Sequence, residues 1–189
     1  MNISEDNINF LLIVAAFILN AIVKKLRALW NRSKLFSSSK INQDLKTQIE
    51  INAKLDVLRN QISASRVSIV NYNPKDATAT MLYERVKDGT SALIQVFKGI
   101  QTSSIAPLLY ELEENGRATM HQDYYDKKVV ELHRSWGIIS TYKYKLDKNK
   151  SIAYGCLVIA FDSDKSLDEQ EQNIINNSLI TISHLYHSN

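Results

Sequence analysis

The chain has 189 residues, 44% hydrophobic and 23% charged, with five glycines and two prolines. That is the composition of one globular domain with an appendage, and it excludes collagen-like, low-complexity and wholly disordered chains. A single cysteine excludes an internal disulfide and a multi-cysteine zinc centre. The formal charge of +3 is unevenly placed: residues 1–50 carry seven basic and four acidic side chains, whereas residues 51–189 carry sixteen of each. A neutral remainder argues against nucleic acid as the main partner, because phosphate binding needs a basic surface.

The first element is apolar. Phe10, Leu11, Leu12, Ile13, Val14, Phe17, Ile18 and Leu19 run without a polar break, Asn20 interrupts, and Ile22 and Val23 continue. Residues 10–23 as a helix span roughly 21 Å, short of a hydrocarbon core of about 30 Å. Ile8, Leu26, Leu29 and Trp30 extend the span, with Trp30 suited to an interface. The basic flank Lys24, Lys25, Arg27, Arg32 and Lys34 follows the run, and Glu5 and Asp6 precede it. A cleaved signal peptide has the opposite order. A buried core helix and a membrane anchor are the two other readings, and the anchor, over residues 1–34, is the expectation adopted. The positive-inside rule then places the chain from Lys24 onward in the cytoplasm. Asn20 inside a span calls for a partner helix or a wet cavity, which predicts self-association.

Ser37-Ser38-Ser39 reads as a linker, and a helical pattern follows from Ile41 to Ser63. Its apolar positions Ile51, Leu55, Leu58 and Ile62 keep four-three-four spacing, which fits either a short parallel coiled coil between copies or a helix packed on the domain behind it. Residues 35–63 are therefore assigned as linker and amphipathic helix, with Ile51, Leu55, Leu58 and Ile62 as its candidate oligomer positions, and residues 64–189 as the soluble domain.

Strands are expected from Arg66. RVSIVNY is one, Asn73-Pro74-Lys75-Asp76 a turn, and Thr78–Val86 the returning strand, with Met81, Tyr83 and Arg85 on one face. Ala92, Leu93, Val96, Phe97 and Ile100 fit a helical stripe. Pro107 opens a short helix that Asn115-Gly116 stops. Ala118–His121 reads as a short strand. Asp126–Trp136 reads as an amphipathic helix, Ile138–Lys145 as a strand, 147–150 as a hairpin turn and Ile152–Phe161 as the central strand. Ser166-x-x-Glu169 has the form of a capping box for a last helix lined by Ile174, Ile175, Leu179, Ile182 and Leu185. The fold class expected is α+β: an N-terminal transmembrane helix, a linking helix, then a largely antiparallel sheet with flanking helices.

This order resembles the GAF/PAS-like sensor fold. The resemblance is carried by Asn60-Gln61-Ile62, the strand Arg66–Val70, the strand Gly155–Phe161 and the helix after Leu167. A short apolar span ahead of a small PAS-like domain is also similar to the holins of T-even-type bacteriophages, through Tyr72-Asn73-Pro74-Lys75, Asn115-Gly116-Arg117 and Tyr154–Ile159. That resemblance implies an inner-membrane protein that oligomerises, permeabilises the membrane and times lysis, with a periplasmic domain bound by a protein regulator. The basic flank instead predicts a cytoplasmic domain, which suits a membrane-tethered sensing or scaffold module.

Candidate chemistry is sparse. His184 and His187 stand i, i+3 with no Cys or carboxylate clearly joining them, so no metal is expected. Asp162, Asp164 and Asp168 lack the glycine and glutamate of a calcium loop. Cys156, in a central strand, reads as a buried inert thiol. His133 reads as a helix-face residue with one hydrogen-bond partner. No nucleophile elbow or phosphate loop is present, so neither catalysis nor a cofactor is expected. Residues from about Met81 to Met120 are expected to wall a pocket between the sheet and the short helices. Tyr124, Tyr125, Tyr142 and Tyr144 are placed near the helix–sheet junctions. The partners expected are membrane lipid, a second copy and a protein regulator.

Overall fold

The computed structural model describes residues 24–25, 43–73, 75–147 and 155–187. The expected anchor residues Phe10, Leu11, Leu12, Ile13, Val14, Phe17, Ile18, Leu19, Asn20, Ile22, Val23 and Trp30 lie outside these, as do Arg27, Arg32, Lys34, the serine linker, Pro74 and the hairpin tip 148–150. Lys24 and Lys25 are helical and exposed. Among the described residues, no helix is long and apolar enough to cross a membrane. The chain divides into two compact units, Met1–Lys46 and Thr47–Asn189, and the second holds the whole sheet.

Helix α1 is described over residues 43–61. It is followed by β1 (Arg66–Asn73), β2 (Thr78–Val86), β3 (Ile100–Gln101), a 3-10 turn (Thr102–Ile105), α2 (Ala106–Asn115), β4 (Arg117–Met120), α3 (Lys127–Ser135), β5 (Ser140–Lys145), β6 (Gly155–Phe161) and α4 (Glu169–His187). The six strands form one sheet in the order β3-β2-β1-β6-β5-β4, and every neighbouring pair is antiparallel. β1 and β6 are central. All seven residues of β6 are buried, as a strand covered on both faces requires.

Two apolar layers cover the two faces. On one, Ile51, Leu55, Leu58 and Ile62 of α1 and its end pack with Ile175 and Ile182 of α4 against Val67, Ile69, Leu157, Ile159 and Phe161. On the other, Ile105, Leu108 and Leu112, with Val129 and Val130 of α3, pack on Val70, Met81, Ala118, Met120 and Val158. The first layer holds the residues assigned to the oligomer helix. Ile51, Leu55 and Leu58 are 0% exposed and Ile62 is 1% exposed. Their apolar area is spent inside the domain. The compact unit that holds the sheet begins at Thr47, within this helix.

Local chemistry explains the other departures. The stripe from Ala92 to Ile100 does not become a helix. The Glu84 carboxylate takes the Leu93 N–H at 2.8 Å and the Ile94 N–H at 2.9 Å, and the Met81 N–H donates to the Phe97 carbonyl at 2.9 Å. Those bonds tie the segment to β2 as a turn. Met81 and Tyr83 do not share a face. The β1–β2 register shifts between Ile69 and Val70, which pair with Tyr83 and Met81 and leave Leu82 as the extra residue of a bulge. The alternation flips there: Met81 meets the α2/α3 layer and Tyr83 the α1/α4 layer. The capping box of α4 stands two residues later than expected. Asp168 accepts from the Glu171 N–H at 2.7 Å, and Glu171 accepts from the Asp168 N–H at 3.1 Å. Helix α2 begins with Pro107 in its first turn and ends at Gly116, whose φ of 68° is the left-handed cap that glycine adopts without penalty. Asp126 caps α3 by accepting from the Lys128 and Val129 N–H groups.

Candidate functional site

The face of the sheet beneath α3 and the 3-10 turn is not purely apolar. The β1–β6–β5 register places Ser68, Val158 and Lys143 in one row across three strands, with Arg66, Ala160 and Thr141 in the next. At about 4.8 Å per strand step, Ser68 and Lys143 flank Val158 from either side. Arg66 is 3% exposed, Ser68 0% and Lys143 5%. They line a small, partly open cavity of about 20 Å³ with Tyr72, Phe97, His133 and Trp136. The space admits a single water-sized particle.

Each polar group in this lining has a distinct electrostatic state. Arg66 is paired with Glu84, both side chains being 2–3% exposed, and its Nη2 also donates to the Ser91 carbonyl at 2.9 Å. Burial lowers the Arg66 pKa, while the attraction of Glu84 opposes that shift. His133 Nδ1 donates to the Val129 carbonyl at 2.8 Å, and its ring meets Trp136 edge-on at 5.4 Å. Burial, reinforced by the repulsion of Lys143, depresses the His133 pKa to about 3. The imidazole is therefore neutral at physiological pH. Lys143 is pulled below the ordinary lysine value by burial, opposed by Cys156. Among the described residues no carboxylate pairs with it. The Arg66 Nε–H and the Ser68 hydroxyl are buried without a hydrogen-bond partner.

The neutral imidazole leads to a pH prediction. The folded pKa of His133 lies at about 3, below an ordinary unfolded value of about 6.5. Folding thus favours the neutral form. Its contribution is fully present above pH 6.5 and is lost as pH falls from there toward 3. Wild-type protein is expected to lose more stability between pH 7 and pH 4.5 than the His133→Phe variant, measured by urea unfolding at both values. Equal acid slopes would contradict the assignment.

The other expected site residues are distributed around the fold. Met81, Leu93, Phe97 and Ile105 do wall the cavity, within the segment expected to do so. Tyr124 donates to Glu111 at 2.7 Å, and its ring lies 4.5 Å from that of Tyr125. Tyr142 and Tyr144 face the opposite layer, beneath α4. Cys156 is 0% exposed, and burial pushes its thiol up to about 11, so it stays protonated. Asp164 accepts from His121 and Gln122, each at 3.1 Å, and Asp168 caps α4. His184 and His187 lie along an open groove on α4 beside Lys145 and Asp147.

Arg66, Ser68, Glu84 and Lys143 were not legible as site residues. The Tyr-Lys alternation of β5 looks like a strand with tyrosines inward and lysines in water, yet this sheet is covered on both faces. The lysine face is buried too.

No protein-family model matches the chain, and no curated protein matches it. Solved structures do. The phycoerythrobilin-bound GAF domain of a cyanobacterial phytochrome superposes with a TM-score of 0.59 at 19% identity, covering 79% of this chain and 93% of that one. The blue-light absorbing form of the PixJ GAF domain of Thermosynechococcus elongatus gives 0.56 at 10% identity, covering 77% and 89%. A domain ascribed to a two-component sensor histidine kinase protein of Sinorhizobium meliloti 1021 gives 0.54 at 14% identity, covering 72% and 87%. The likeness at these identities is one of architecture: residues of the second unit have the GAF fold, an α+β domain with an antiparallel sheet and helices on both faces.

Proposed function

We propose that the chain is a membrane-tethered sensing module, a GAF domain that takes a very small ligand in a cavity beneath its sheet and carries out no catalysis. The observation that carries this reading is the small cavity bounded by Arg66, Ser68, Lys143, Phe97 and Trp136, in which the buried Arg66 Nε–H and Ser68 hydroxyl have no hydrogen-bond partner. A core built only for stability would replace such groups with apolar ones, because an unsatisfied buried donor costs about 1–3 kcal/mol. The tether is the apolar segment Phe10–Val23 with its basic flank. The GAF relatives support the sensing reading and give no support to a role in lysis.

Two measurements on the full chain test the proposal. A fluorescent reporter fused after Asn189 is expected to glow in the cytoplasm of bacteria that tolerate the protein in their membrane fraction. A periplasmic C-terminus with abrupt arrest of growth would overturn it in favour of the holin-like reading. Trp136 lines the cavity, so the small-molecule fraction of a bacterial extract is expected to change tryptophan emission in the wild type and not in Trp136→Phe.

A further inference from the structure

We propose that the cavity beneath the sheet is a binding site for one small monovalent anion of halide size, held by Lys143 together with the free donors of Ser68 and Arg66. This deepens the sensing reading and rests on it.

Charge is the first argument. Of the basic groups lining the cavity, Arg66 is balanced by Glu84 and His133 is neutral. Lys143 has no carboxylate among the described residues, so the site carries one uncompensated positive charge when Lys143 is protonated. An unpaired ammonium buried at 5% exposure is costly. A single negative charge removes that cost.

Hydrogen-bond capacity is the second. Two groups in the lining have no hydrogen-bond partner and can donate, the Arg66 Nε–H and the Ser68 hydroxyl. Arg66 Nε–H and the Lys143 ammonium can only donate, and the Ser68 hydroxyl has a free hydrogen. An anion accepts from all three. Size and surroundings are the third. A cavity of about 20 Å³ has room for one small ion. Phe97, Trp136 and Val158 give the site apolar walls, beside which a charge–charge attraction is stronger than in water.

Thermal unfolding of the full chain in mild non-ionic detergent tests the site, with sodium bromide replacing sodium gluconate at constant ionic strength. Gluconate is too large for the cavity. The midpoint is expected to rise with bromide and to saturate, as ligand linkage requires. The Lys143→Met variant keeps the length of the side chain, and its midpoint is expected not to respond to the exchange. If that variant fails to fold, Ser68→Ala takes its place, with bromide affinity weakened about tenfold by loss of one hydrogen bond to a charged group. Wild-type protein indifferent to bromide, or variants that respond as fully as wild type, would overturn the anion site. If bromide has no effect while the extract still shifts Trp136 emission, the anion assignment falls and the sensing reading stands. If neither acts, both fall.

Discussion

Glu84→Ala is expected to destabilise the domain by about 3–5 kcal/mol, the range for breaking a buried ion pair by removing one partner. Glu84 receives the Arg66 guanidinium and the N–H groups of Leu93 and Ile94, and the two charged side chains are only 3% and 2% exposed. Alanine would leave a buried charge and two buried N–H groups without acceptors. It would also release the 93–97 turn, whose Leu93 and Phe97 wall the cavity. Glu84→Gln retains an acceptor for the backbone and is expected to lose less. In the double variant Arg66→Met/Glu84→Gln the losses are expected to be smaller than their sum, because no lone charge remains. Urea unfolding of these three proteins and of the Arg66→Met single variant decides the matter. A Glu84→Ala protein within 1 kcal/mol of wild type would show that the pair is dispensable.

Leu55→Ala or Leu58→Ala is expected to cost about 2–5 kcal/mol, as truncation in a packed core does. Both side chains are 0% exposed between α1 and the sheet. The loss should be the same at every protein concentration. Were these residues a seam between copies, the unfolding midpoint would fall on dilution. Val57, 52% exposed on the same helix, serves as the control, and Val57→Ala is expected to stay within about 0.5 kcal/mol of wild type. Denaturation at two concentrations differing a hundredfold separates the outcomes.

Residue order alone determined most of the elements. Pro107 and Gly116 bracket α2 because one lacks the N–H that a helix start leaves unused and the other enters the left-handed region freely. The apolar run ending at Phe161 reads as a central strand, and β6 is one. The single cysteine and the missing motifs constrain chemistry in the same local way. Each of these signals acts within one turn or one strand, so neighbours in sequence suffice to read it.

Tertiary structure decided the rest, because those outcomes depend on partners far along the chain. The spacing of Ile51, Leu55, Leu58 and Ile62 fits a coiled coil and a core equally. What selects the core is a sheet face whose residues lie as far away as Phe161. The 92–100 stripe has helical periodicity, and Glu84 from β2 removes the N–H groups a helix would need. The Leu82 bulge flips a face that strict alternation cannot flip. Lys143 and Ser68 come together only because β6 lies between β1 and β5, and they are buried only because helices cover that face as well as the other. A period of two tells which side chains share a face; it does not tell whether that face meets water.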